Sequence, residues 1–190
     1  MRYSAKHKAE TRQTLIEKAG ALAKQDGFAT TGVDSLMATV GLTGGAFYNH
    51  FSSKDELLLE IIRQELKKSQ HLLETNLANA STESFLDLYL SQLHLNFPAL
   101  GCALPSLTTE VSRADEAIKQ TFADGLAQIH HTLNTHLANP QLAWATLAMT
   151  VGAVNLARAM PTGEQQQILL ESCKNILLMM SEGGLGAVNS

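Results

Sequence analysis

The stretch TGVDSLMATVGLTGGAFYNHF, Thr31 to Phe51, runs straight into SSKDELL and constrains the fold more than any other part of the chain. Thr31 can N-cap a short helix, and Asp34 three residues on completes a capping box. Val33, Leu36, Met37 and Val40 then share one face at helical spacing. Gly41 suits the left-handed position that ends a helix, with Leu42 as the apolar residue after it. Thr43 can cap a second helix that buries Phe47 and Phe51 and turns Tyr48, Asn49 and His50 elsewhere. Ser53 with Glu56 makes a further capping box and opens a longer helix. Two short helices on a glycine-containing turn are the helix-turn-helix arrangement, whose second helix lies in the DNA major groove.

With its flanks, the segment from Lys8 to about Lys68 resembles the DNA-binding domain of the TetR-type family of bacterial transcriptional regulators. The resemblance rests on Arg12, the Leu15/Ile16/Ala19 face, Gly27-Phe28, Thr31, Val33 and Gly41-Leu42. It continues through Phe47-Tyr48, His50-Phe51, Ser53-Lys54 and Leu57. It covers the first third of the chain directly, and the rest by size and helical layout. It implies an N-terminal arm and three-helix DNA-binding domain over residues 1–53, with the motif at 32–51. A linker helix and a ligand-binding and dimerisation domain then occupy 54–190.

Composition agrees with an all-α chain. There are four prolines in 190 residues, and β-branched and aromatic residues are little clustered. No apolar run approaches the ~18 residues that span a bilayer. MRYSAKHKAE has no apolar signal-peptide core, so a cytoplasmic location is expected. The charge is uneven. Residues 1–68 carry ten Lys/Arg and eight Asp/Glu, whereas 69–190 carry four and ten. A basic arm on an otherwise acidic chain suits phosphate contacts localised at one end.

Periodicity and breakers predict a first helix over about 9–26, ended by Gly27-Phe28, and a long helix from Lys54 into the late seventies. After a break at Asn79-Ala80-Ser81, one helix is expected to Asn96, with Leu86, Tyr89, Leu90 and Leu93 on its inner face. Helices near 103–113, 115–138, 141–159 and 164–180 follow, and GGLGAVNS reads as a frayed tail. The 141–159 helix is rich in Ala and Gly, which lets helices approach closely. An intramolecular hairpin explains much of that. The resemblance implies more: the last two helices pair with their copies as a four-helix dimer interface. Its candidates are Leu142, Met149, Gly152, Leu156, Leu169, Cys173, Ile176 and Met180.

Base reading is expected from Thr43, Gly44, Gly45, Ala46, Asn49 and His50. Asn bonds adenine bidentately, and Thr or Ala methyls meet thymine. The two glycines admit the backbone to DNA. No basic residue stands near Gly44, which makes the base code apolar and amide-based. Tyr48 and Lys54 occupy the family's phosphate-contact positions, and Thr31 and Arg12 join them as candidates.

The segment GCALPSLTTEVSR, Gly101 to Arg113, resembles a GC-containing stretch in a subset of these regulators. Cys102 precedes a helix start, which favours thiolate. It is either a sensor thiol for electrophiles and oxidants or a small packing residue. Candidate ligand-binding residues are Leu86, Tyr89, Leu90, Leu93, His94, Cys102, Leu104, Leu107 and Trp144, whose apolar character suggests an apolar or aromatic effector. Two cysteines and the scattered His94, His130, His131 and His136 match no disulfide or metal spacing, and no cofactor fingerprint or catalytic motif is present. The expected protein is a homodimeric regulator, most simply a repressor, binding a palindromic duplex and a small molecule. A helical thiol enzyme using Cys102, or a binding protein that has lost DNA recognition, are the rival readings.

Overall fold

The computed structural model describes residues 5–78 and 80–183. The expectations for the first residues of the arm, for Asn79 and for the tail beyond Gly183 lie outside them. The helices are α1 (Ala5–Asp26), α2 (Val33–Ala38), a 3-10 helix (Gly44–Asn49), α3 (Lys54–Ala78), α4 (Thr82–Tyr89), α5 (Gln92–Asn96), α6 (Leu104–Ser112), α7 (Glu116–Leu137), α8 (Pro140–Arg158) and α9 (Glu164–Ser181). No strand occurs among the described residues, and no helix of theirs is long and apolar enough to cross a membrane. Two compact units result, Met1–Lys68 with Pro98–Gly125 and Ser69–Phe97 with Leu126–Ser190. The cut falls inside α3 and α7, so compactness divides the chain elsewhere than at the boundary expected from sequence at 53/54. The α6 segment shares its unit with the helix-turn-helix.

In the first unit, Leu15, Ile16, Ala19, Leu36, Met37, Phe47, Phe51, Leu57 and Ile61 are buried. Gly27, at φ 84°, ends α1 as expected. Gly41, at φ 72°, likewise lets Leu42 N–H reach back to the Met37 carbonyl at 3.0 Å. An L-side chain is strained there. The cap of α2 differs from expectation. Gly32 stands at the N-cap without a side-chain bond, and Thr31 Oγ1 donates instead to the Gly27 carbonyl at 2.7 Å. The loop after α1 thereby takes the hydroxyl that would have closed a capping box. The start of α3 is a variation on its box. Ser53 Oγ accepts from Glu56 N–H at 3.0 Å, while the Glu56 carboxylate reaches Ser52 N–H at 2.6 Å rather than Ser53. A buried ion pair, Lys24 Nζ to Glu65 Oε2 at 2.7 Å, ties α1 to α3. The same ammonium donates to the Gly101 carbonyl at 3.1 Å.

The second unit packs α8 on α9, α4 on α9 and α5 on α8. Leu90, Leu95, Ala153, Val154, Ala157 and Leu170 form a core cluster, with Tyr89, Leu169 and Cys173 packed against it. Asn139 Oδ1 caps α8 by accepting from Gln141 and Leu142 N–H. The helix expected from Ser81 to Asn96 is two helices. Ser91 Oγ accepts from His94 N–H at 3.1 Å and caps α5, so the chain turns where apolar periodicity alone runs straight through. That turn corrects one placement: Leu93 leaves the inner face and is 61% exposed, whereas Leu86 and Leu90 stay buried.

Candidate nucleic-acid interface

The second helix of the motif is built as a presenting surface. Phe47 and Phe51 are sealed in the core with ring centroids 5.6 Å apart. That anchor leaves Tyr48 70% exposed, with Thr43, Gly45 and Asn49 also exposed. The element is a tight 3-10 helix, with Ala46 N–H to the Thr43 carbonyl and His50 N–H to the Phe47 carbonyl. Two glycines in a six-residue helix weaken α-helical propensity, and short 3-10 pieces are the usual result. Thr43 is the N-cap residue, through its backbone and not its hydroxyl.

Gly44 and Gly45 differ. A Cβ on Gly45 meets nothing within 4 Å, but one on Gly44 overlaps the Asp34 carboxylate. A side chain at position 44 would therefore have to turn the exposed Asp34 carboxylate aside, a contact that no sequence signal carried. Asp34 lies ten positions earlier and reads as a cap.

Behind this surface, Arg12 works as a brace. Its guanidinium pairs with Glu56 at 3.0 Å and Glu60 at 3.5 Å, donates through Nε to the His50 carbonyl, and lies 4.5 Å from the Phe51 ring centroid. It thus holds the C-terminal end of the presenting helix to α1 and α3. His50 is half-buried, its Nδ1 enclosed without a hydrogen-bond partner. Burial, then Lys8 and Arg12, push its pKa below the usual histidine value. The Glu56 carboxyl is held low chiefly by the Ser52 N–H and hydroxyl, and further by Arg12.

Lys54 Nζ donates to the Ala29 carbonyl at 3.1 Å and sits 4.7 Å from the Phe28 ring centroid. Phe28 and Ala29 N–H both donate to Glu110 Oε1, at 2.9 and 3.2 Å. Lysine at the first position of a helix opposes the helix dipole, and here a carbonyl and an aromatic face hold it in place. Neither the Glu110 bonds to this loop nor the Asp34 contact with Gly44 had a sequence signal, because the partners are remote in the chain.

The other candidates fall into two groups. Leu86, Tyr89, Leu90, Leu93, His94 and Trp144 belong to the second unit, and Cys102, Leu104 and Leu107 to the first. His94 Nδ1 lies 2.6 Å from the Tyr89 carbonyl. Leu104 and Leu107 are buried, and Cys102 is half-buried. Trp144 is 47% exposed and stacks on His130 at 4.2 Å. Of the dimer candidates, Leu142 is buried within the chain, and Leu169 and Cys173 pack on the inner cluster. Burial raises the Cys173 thiol pKa. Met149, Gly152 and Met180 are half-buried, while Leu156 and Ile176 are exposed. Trp144, Ile168 and Met179 extend this exposed apolar set on α8 and α9. Among the described residues, no group of three His, Cys, Asp or Glu could hold a metal ion.

Residues 15–61 match the family model of bacterial regulatory proteins, tetR family. A curated relative, the HTH-type transcriptional repressor DhaR of Mycobacterium sp. (strain GP1), is 24% identical over 110 residues. That match spans 57% of this chain and 56% of the relative, little more than half of its length. A TetR transcriptional regulator from Chloroflexus aurantiacus shares the fold at TM-score 0.76 and 23% identity, over 94% of this chain and 96% of that one. The reduced form of NemR from E. coli does so at TM-score 0.70 and 23% identity, over 87% and 96%.

Proposed function

From the match of residues 15–61 to the family model of bacterial regulatory proteins, tetR family, we propose that the chain is a TetR-type, sequence-specific, DNA-binding transcriptional repressor. The observation that carries the proposal is the presenting helix: a sealed Phe47/Phe51 anchor that leaves Thr43, Gly45, Tyr48 and Asn49 in the open. Asn49 and the Thr43 and Ala46 methyls read bases, and Tyr48 and Lys54 contact phosphate. Gly44, His50 and Thr31 complete the surface. Arg12 contributes by positioning, since its donors serve the domain's own groups.

The operator is a palindromic duplex, because the regulator acts as a homodimer through α8 and α9. Exposed Leu156, Ile168, Ile176 and Met179 support that assembly. Two-fold pairing sets half-sites about one DNA turn, ~34–36 Å, apart. Residues 1–53 are the DNA-binding part and 54–190 the effector and dimerisation part. A small apolar or aromatic effector binds the helical region and favours a state whose recognition helices no longer match the operator. The protein acts in the cytoplasm, and not as an enzyme.

Selection of genomic duplex fragments at low salt tests the proposal. Recovery of a palindromic consensus is expected; uniform binding to all fragments, or none, would sink it. A second reading keeps Cys102 as a sensor thiol. It is favoured by the half-buried Cys102 beside the anchored Gly101 carbonyl, and by the likeness to a protein crystallised in a named redox form. Under it, Cys102→Ser binds DNA normally yet ignores electrophiles that release the wild type, while Cys173→Ser responds as wild type.

A further inference from the structure

We propose that Glu110, on α6, is a positioning residue for Lys54, so that α6 sets DNA affinity through one carboxylate; the inference rests on the DNA-binding reading above. The chain of contacts is short. Glu110 Oε1 accepts from both Phe28 and Ala29 N–H, at 2.9 and 3.2 Å. These are the first two amides after Gly27, where the backbone leaves α1 at φ 84°. The same two residues hold Lys54, one by its carbonyl at 3.1 Å and the other by its ring at 4.7 Å. The acceptor on α6 thus fixes the loop, and the loop fixes the ammonium. All of these residues lie in one compact unit.

The start of the α6 segment is tied down as well. Gly101 accepts from Lys24 Nζ at 3.1 Å, and Lys24 is paired with buried Glu65. Both ends of Gly101–Arg113 therefore report to the end of α1. Hydrogen bonds of this length weaken steeply once displaced by more than a few tenths of an ångström. A shift of α6 of about one ångström frees the loop and lets the Lys54 side chain regain its rotamers.

Electrostatics makes the sign of the test informative. Glu110 is an anion in a unit that meets a polyanion, so removing its charge alone strengthens DNA binding. Removing its acceptor role weakens it.

The experiment measures operator affinity against salt for the full-length protein. Each phosphate contact contributes about 0.9 to the slope of log K against log salt. Lys54→Ala removes two contacts per dimer and lowers the slope by about 1.8, roughly a tenfold smaller affinity loss between 50 and 200 mM salt. Glu110→Ala is expected to lower the slope toward that value and to add nothing in a Lys54→Ala background. Glu110→Gln keeps the acceptor oxygen and should restore the wild-type slope. If Glu110→Ala does not fold, Glu110→Asp draws the acceptor back by one methylene and should give an intermediate slope. A slope unchanged in Glu110→Ala or Glu110→Asp, or a loss that adds fully to that of Lys54→Ala, overturns the inference while the DNA reading stands. Wild-type protein with no operator preference overturns the reading first and the inference with it.

Discussion

The helix-turn-helix and the α8–α9 hairpin end in surfaces of opposite chemistry. In the first, the large apolar side chains of the presenting helix are consumed by its own core, and what remains outside is Tyr48, Asn49, Thr43 and bare backbone. Polar side chains bind its joints: Arg12 to the His50 carbonyl, Glu56 to Ser52, Lys54 to Ala29. In the hairpin, small residues such as Ala143, Ala153 and Ala157 share the interior with Leu142, Leu147, Leu170 and Leu177, and the side chains left outside are Trp144, Leu156, Ile168, Ile176 and Met179. A surface finished with polar groups suits a hydrated, charged partner. Five large apolar side chains exposed on two neighbouring helices suit the partner helices of the proposed dimer. On the proposed function, the same chain would meet two kinds of partner according to which side chains it keeps inside.

Loss of the aromatic anchor should do the most damage. Phe47→Ala should destabilise the protein by about 3–5 kcal/mol, the range for buried aromatic truncation. Leu156→Ala, a smaller truncation at a side chain that is 59% exposed, should change the stability of the single chain little. Denaturant titration of both variants in a monomeric background reads the difference directly. Equal losses would mean that exposure in the isolated chain says nothing about where each side chain works.

The hairpin is broken next. Nothing lies within 4 Å of a Cβ placed on Gly152, so a side chain can leave the helix there without meeting this chain at its first atom, and Gly152→Arg is expected to act chiefly on what covers it. We expect a folded monomer by sedimentation, with operator binding lost because both half-sites are needed. A variant that stays dimeric at micromolar concentration would move the interface away from this face.

How legible all this was in the sequence follows the range of the interactions. Helix ends set by local residues were readable: Gly27 and Gly41 stand at positive φ, and the Ser53–Glu56 bond forms. Periodicity put Phe47 and Phe51 inside. What failed was decided by competition or distance. Thr31 bonds the loop behind it instead of capping α2, and Ser91 restarts a helix that hydrophobic spacing carries straight on. Asp34 against Gly44 and Glu110 under Phe28 join residues ten and more than eighty positions apart. No local pattern marks such pairs. For the hairpin, the apolar stripe was visible, but which side of it faces inward was not. Leu142 went in, and Ile168 and Met179 stayed out.

On the presenting helix the expected effects are smaller and more specific. Asn49→Ala should cost about 1–3 kcal/mol at particular base pairs and relax preference there. Tyr48→Phe should weaken binding evenly across sequences. Binding-site selection with each variant separates the two; an unchanged consensus for Asn49→Ala removes it from base reading.

Acid should reach this domain through Glu56 and His50. Both folded pKa values lie below the ordinary ones, so the unfolded chain binds more protons and stability rises with pH. The Glu56 contribution is complete above the ordinary carboxylate range and is lost as pH falls through its depressed value. The His50 contribution is complete above the ordinary histidine range and is lost below it in the same way. Glu56→Gln should flatten the acid limb of stability against pH and leave its neutral part nearly level. A wild-type acid limb in Glu56→Gln would assign it to other carboxylates.

The turns of the two units differ as well, with a smaller consequence for stability. The first unit places glycine at its left-handed positions, Gly27 and Gly41, whereas the corner between α7 and α8 places Ala138 there, at φ 51°. A left-handed alanine costs roughly 1–2 kcal/mol relative to its preferred regions. Glycine removes that cost but widens the unfolded ensemble, returning about 0.4–1 kcal/mol. The difference leaves Ala138→Gly more stable by somewhere near 0.5–1 kcal/mol. Gly41→Ala carries the opposite sign, since it adds the strain and narrows only the unfolded state. Denaturant midpoints at unchanged m read both. If Ala138→Gly is destabilising, the contacts of its methyl outweigh the backbone strain. The corner is then held by packing, as the hairpin interior is, and not by the glycine turns that define the DNA-binding domain.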